Sequence, residues 1–141
     1  MPAEDQPIIV DTNILFSALL SSESTFARLL LTSPRRFFVV ELILVELFKH
    51  KEKIVHLSKL SEDDVVRLLQ VLLKRLNLYK EDLIAPENRR AAYELCRDLD
   101  ETDTPHVALT LELAELLWTG DKTLKDGLKR KGFDQFFEPS K

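Results

Sequence analysis

Two apolar runs of this chain each end in an aspartate: Ile8-Ile9-Val10-Asp11 near the start, and Leu116-Leu117-Trp118-Thr119-Gly120-Asp121 near the end. Short runs like these, followed at once by helix-like sequence, read as buried parallel strands. In an open α/β sheet, ligands collect in the crevice outside the carboxyl ends of the strands. Two acids delivered there from distant parts of the chain converge on one site. Like charges so placed repel, and a proton or a cation must hold them. Carboxylate oxygens are hard ligands that, with water, suit Mg2+ or Mn2+. Such an ion lowers the pKa of bound water and stabilises charge on a phosphodiester being cleaved.

Further acids join this set. Glu46 lies on an apolar helix one turn from Leu42 and Ile43, where an unpaired carboxylate needs a cation, a donor or a raised pKa. Reaching solvent from the edge of the stripe is the competing reading. The run Asp98-Leu99-Asp100-Glu101-Thr102-Asp103 places Asp103 at the start of a helix, with Asp100 three residues before it. Capping of backbone N–H groups, or a solvated acidic turn, would also account for that run. Asn13 and Thr119 sit two residues from Asp11 and Asp121 and could orient those carboxylates or a metal-bound water. Local turn bonding is their alternative.

The positioning elements follow from hydrophobic period and punctuation. Thr12 or Asn13 can cap a helix through Ile14, Leu15, Ala18 and Leu19, which Ser21-Ser22 interrupts. A short helix over Phe26–Leu31 follows, then a strand at Phe37-Phe38-Val39-Val40 and a helix from Leu42 to His56. Ser61 caps the next helix ahead of Glu62, Asp63 and Asp64, with Val65, Leu68, Leu69, Leu72 and Leu76 at helical spacing. Val66, Val71 and Leu73 make it apolar on more than one side, as burial between neighbours or a subunit interface would require. A weak strand is expected near Leu78–Ile84, and Pro86 and Pro105 each open a helix. After the strand into Asp121 comes a basic helix, Lys122–Lys131, closed by Gly132, and Phe133–Phe137 is expected as a final edge strand. The alternation predicts an α/β fold: one three-layer domain over residues 1–141, with a central, mostly parallel sheet flanked by helices and residues 1–6 as a flexible N-terminus.

Composition excludes several classes. No apolar stretch reaches the roughly 18–20 residues of a membrane span, and the polar, acidic N-terminus argues against a signal peptide. The single cysteine, Cys96, cannot form an intramolecular disulfide, which points to a reducing cytoplasmic setting. Three glycines leave no glycine-rich phosphate loop. His50, His56 and His106 lack the spacing of a zinc site. With a net charge of −4, a polyanionic substrate must be handled by bound metal or by local basic groups. The segment Lys49-His50-Lys51-Glu52-Lys53 is one source of these, and Lys122 another. A solvated helix face is the plainer reading of both.

Taken together, Val10-Asp11-Thr12-Asn13, Glu46-Leu47, Asp103 with Val107-Ala108-Leu109, and Trp118-Thr119-Gly120-Asp121-Lys122 resemble the PIN domain, a metal-dependent ribonuclease fold that includes many prokaryotic toxins. The resemblance covers nearly the whole chain. It implies an acidic quartet of Asp11, Glu46, Asp103 and Asp121, with Asp100 as an additional acid at the rim. It also implies Mg2+ or Mn2+ as cofactor, RNA as substrate, a cognate antitoxin as partner, and dimers or higher homo-oligomers. An RNA-binding module of the same fold without turnover is the alternative. An aspartate-nucleophile phosphatase is weakened because Asn13, not a second aspartate, lies two residues after Asp11.

Overall fold

The computed structural model describes residues 6–21 and 23–139. The expected flexible N-terminus therefore lies outside the described residues except for Gln6, as does Ser22 of the expected helix interruption. Four strands, β1 (Ile8–Val10), β2 (Phe37–Val40), β3 (Leu76–Tyr79) and β4 (Leu116–Trp118), pair in the order β3-β2-β1-β4. Every pairing is parallel, with Ile8 opposite Phe37 and Leu116, and Val10 opposite Trp118. Chain order reverses around β1, which makes the carboxyl ends of β1 and β4 a topological switch point.

Strand side chains alternate between faces and so divide the core in two. Ile8, Val10, Phe37, Val39 and Trp118 pack on one side. They meet α1 (Thr12–Leu20), α2 (Thr25–Thr32), α3 (Leu42–Lys49), α4 (Lys51–Ser58) and α5 (Glu62–Leu73). Ile9, Val40 and Leu117 pack on the other, against α6 (Pro86–Cys96), α7 (Thr104–Leu113) and α8 (Lys122–Arg130). The expected three-layer α/β architecture is thus present.

Several boundaries differ from the sequence reading. The helix expected from Leu42 to His56 is two helices that meet at His50, whose φ of −107° and ψ of 15° lie off the helical well. Nothing in the local composition marks that break. Leu76 begins β3 instead of ending α5, because parallel pairing to Phe37 captures it. β3 ends at Tyr79 and does not reach Ile84; a 3-10 turn over Glu81–Leu83 intervenes. The expected edge strand at Phe133–Phe137 shrinks to one bridge, Leu117 to Phe136. The cap of α1 is neither Thr12 nor Asn13 but Asp11, whose side chain accepts from Ile14 N. For α5, Val65 and Leu72 are buried and Leu68 and Leu69 pack against the core, so burial accounts for most of its apolar surface, with Val71 exposed.

Helix ends show where backbone geometry constrains the chain. At the end of α8, Gly132 has φ +91°, while its N–H bonds Lys129 O and the Phe133 N–H bonds Leu128 O. This is a Schellman closure with glycine at its left-handed position. α7 ends in the same pattern, with Ala114 N bonding Leu111 O and Glu115 N bonding Thr110 O. Here the left-handed residue is Ala114, at φ 54° and ψ 44°. Within α8, Gly127 lies against α6's exit: a Cβ at 127 would come within 2.6 Å of Leu99 Cδ2.

A β-carbon in the left-handed region costs roughly 1–2 kcal/mol, part of which the looser unfolded chain of a glycine variant would cancel. Ala114→Gly is therefore expected to raise stability by about 0.5–1 kcal/mol, read as a higher urea midpoint. An unchanged or lower midpoint would contradict the strain assigned to Ala114.

Candidate functional site

Parallel register carries Asp11 and Thr119 to the same edge of the sheet, one residue beyond the Val10–Trp118 pair, and Asp11 N donates to Trp118 O at 3.3 Å. Asp11 is 2% exposed. Its Oδ1 accepts the Ile14 N–H at 3.0 Å as the cap of α1, and its Oδ2 is buried with no hydrogen-bond partner. Asp121 repeats the arrangement two residues past Thr119: its side chain caps α8 through Leu124 N at 3.0 Å. Thr119, itself buried, accepts the Asp121 N–H at 3.1 Å and so ties the turn that presents Asp121.

Asp103 occupies the first position before α7 but makes no side-chain cap, so simple capping does not explain it. Glu46 is half-buried on α3, one turn beyond Leu42 and Ile43. Asp100 is exposed, and its Oδ1 accepts from Thr102 N at 3.0 Å and from Thr102 Oγ1 at 2.6 Å. A polar cavity of about 220 Å³ joins Thr12, Asn13, Glu46, Asp100, Asp103 and His106.

Electrostatics tie the acids together. Burial pushes the Asp11 carboxyl up to about 6, and the charge of Asp121 adds to it. The Thr119 hydroxyl and the Ile14 and Asn13 amides pull the other way. That hydroxyl stands near Asp11 yet leaves Oδ2 unpartnered. Asp103 is pushed up to about 7, first by burial and then by Asp100, Asp11, Asp121 and Glu46. Every other acid of the set is thus near enough to disfavour charge on Asp103. Among the described residues, no three Asp, Glu, His or Cys side chains form a group spaced to grip a metal ion.

The basic candidates scatter. Lys49 shares a shallow cavity with Glu46 and His50. Lys51 is bound to Glu62 at 2.7 Å and lines a separate apolar cavity with Leu47 and Val65. Lys122 is exposed at the start of α8, while Lys125 pairs with Glu138 at 3.0 Å.

Two side chains at the cavity stand out in the sequence only as non-ligands of zinc or as part of a basic segment. His106 is 2% exposed, with Nε2 3.2 Å from Thr12 Oγ1 and Nδ1 without a partner. Burial drives its pKa down to about 4, so the ring is neutral at physiological pH. Its position three residues after Asp103, on the same helical face, is the signal that could have found it. His50 packs edge-on against Phe16 with ring centroids 5.6 Å apart, at the break between α3 and α4. Cys96 is buried and its thiol is pushed up to about 11, chiefly by burial, which leaves it unreactive at neutral pH.

Comparison with known families places these residues in context. The family model described as PIN domain matches residues 9–137, a span holding Asp11, Glu46, Asp100, Asp103 and Asp121. No curated protein matches the chain. Among the described residues, no single helix is long and apolar enough to cross a membrane.

A carboxyl whose folded pKa lies above its unfolded value binds its proton more tightly when folded. Its ionised form then costs stability, and the cost grows as pH rises from about 4 through about 7 for Asp103. Metal-free Asp103→Asn is expected to be more stable than wild type at pH 8 by about 1–2 kcal/mol, allowing for solvent screening. The gap should close near pH 4. Thermal unfolding of both chains across that range checks it, and a gap independent of pH would contradict the raised pKa.

Proposed function

The chain belongs to the PIN-domain family, and on that premise we propose that it is a metal-dependent endoribonuclease hydrolysing RNA phosphodiesters. PIN domains are in general nucleases that depend on a divalent metal. The observation that carries the reading is the buried, unpartnered Asp11 Oδ2 at the meeting of mutually repelling carboxylates. An orphaned buried acceptor costs about 1–3 kcal/mol, and a hard cation removes both that cost and the repulsion. Carboxylate oxygens are the donors such an ion takes, although among the described residues no three of these side chains are spaced to grip one. Asp11, Glu46, Asp103 and Asp121 would hold Mg2+ or Mn2+, with Asp100 at the rim.

When bound, the cation supplies Lewis acidity, which acidifies water and offsets charge on the phosphodiester. The chain's own groups do the positioning. Oδ1 of Asp11 and the Asp121 carboxylate are each anchored by a helix-start N–H, so their orientation is set before substrate arrives. Thr119 fixes the Asp121 turn and Asn13 lines the mouth of the cavity, the orienting roles we assign them. Lys49 and Lys122 would meet phosphates flanking the scissile one; the Glu62 partner of Lys51 makes it the weakest of the three. No protein nucleophile is needed.

We read residues 1–141 as one such domain, acting in the cytoplasm as the toxin of a toxin–antitoxin pair, with a cognate antitoxin protein as partner and a homodimer or higher oligomer as its state. Exposed Leu42, Val45 and Phe48 at successive turns of α3 support a protein contact. A second reading, an RNA-binding module of the same fold without turnover, is favoured by the wide spacing of the acids.

Purified protein is expected to cleave RNA with Mn2+ or Mg2+ and to lose cleavage on chelation. Asp11→Asn keeps a capping oxygen but removes the charge, and should lower the rate by roughly a hundredfold or more. Full activity in that variant, or after thorough chelation, would overturn the nuclease reading. Calorimetric titration with Mn2+ separates the two readings, since absence of binding to wild type would favour the module.

A further inference from the structure

The acid-lined cavity adjoins a second, of about 380 Å³, with which it shares three lining residues, Asn13, Phe16 and His50. The second cavity is a groove between two helical stripes. Asn13, Phe16, Ser17 and Leu20 follow the i, i+3, i+4, i+7 pattern on α1, and His50, Lys53, Ile54 and Leu57 follow the same pattern from the start of α4. Seven residues of helix rise about 10 Å, so the groove runs outward from the acids over about the length of one nucleotide.

Its chemistry is mixed in a specific way. The edge-on Phe16–His50 pair offers aromatic surface at the junction. Leu57, at the far end, is 54% exposed, an apolar side chain left facing the groove and solvent. Lys53 makes no ion pair among the described residues. Its charge is free to meet an anion on a flank of a site whose own carboxylates repel phosphates. Aromatic and apolar walls beside an unpaired cation are what a single-stranded nucleotide requires: a face for the base and a charge for the backbone.

We propose that this groove is a nucleotide subsite, seating one base of single-stranded RNA next to the scissile phosphate. The base lies against Phe16, His50 and Leu57, and Lys53 meets the adjoining phosphate. Ser17 and Asn13 line the floor and junction, where hydrogen bonds to base or ribose are available. The proposal rests on the nuclease reading for the identity of the strand, and assigns the direction in which that strand leaves the acids.

The test uses the full chain and short single-stranded RNA carrying 2-aminopurine at successive positions. Binding is followed by anisotropy and by 2-aminopurine fluorescence, in the cleavage-deficient Asp11→Asn background with Mn2+ present. One position is expected to change its fluorescence on binding, as a stacked base does. Adding Lys53→Glu or Ser17→Trp should weaken RNA binding roughly tenfold and remove that change, while each substitution alone leaves Mn2+ affinity unaltered. Leu57→Glu alters an exposed side chain and keeps the test independent of folding. RNA binding unchanged in all three variants, or no RNA binding by any chain, overturns the subsite. Wild type that binds RNA through the groove yet never cleaves it overturns the nuclease reading and leaves the subsite standing.

Discussion

Mutual repulsion among carboxylates is the constraint around which the rest of this fold is arranged. The parallel register of β1 and β4 places Asp11 beside the turn that presents Asp121, and both strands leave the sheet at that edge. Neither acid can relax away. Each is fastened by an N–H at the start of the helix that follows it, and the helix-end dipole there favours negative charge. The fold thus stabilises two anions one at a time, through separate helices, while holding them near enough to disfavour each other. Burial first, and the neighbouring charges after it, raise the pKa values of Asp11 and Asp103.

The two-sided core explains how so small a chain keeps that arrangement. Strands of three or four residues have little pairing of their own, and β1, β2 and β4 gain stability from burial on both faces, while the edge strand β3 stays partly exposed. Helices α1 and α3 reach the site from one layer and α7 and α8 from the other, so the acids draw on both halves of the hydrophobic core. Buried neutral His106 joins the layers at the site, through the Thr12 hydroxyl.

Much of this was legible in the sequence because the informative features are local. Apolar runs ending in Asp11 and Asp121, the Ser61 cap, Pro86 and Pro105 at helix starts, and Gly132 at a helix end each carry their meaning within a few residues. What escaped depends on contacts between distant segments. Leu76 has helical spacing, yet pairing with Phe37 makes it a strand residue. The break at His50 carries no breaker residue, and Ile43 and Leu47 of α3 pack in the same cluster as Ile54 of α4. The sequence presents Asp11 as a strand end and its neighbours as caps, whereas Asp11 itself follows the strand and caps the helix. The sequence marks His106 only as lacking zinc-site spacing, because its Thr12 partner lies 94 residues away.

The close approach of Gly127 to Leu99 links parts of the molecule that carry no charge to one that does. Leu99 immediately precedes Asp100, and Asp103 follows three residues later, so the clearance left by a missing side chain sets how deeply the acidic loop can sink. Helix α8 acts there as a backstop with a notch in it. Bulk introduced into the notch would lift the loop and its carboxylates together, a change at the acidic edge made by an uncharged atom on the helix behind it.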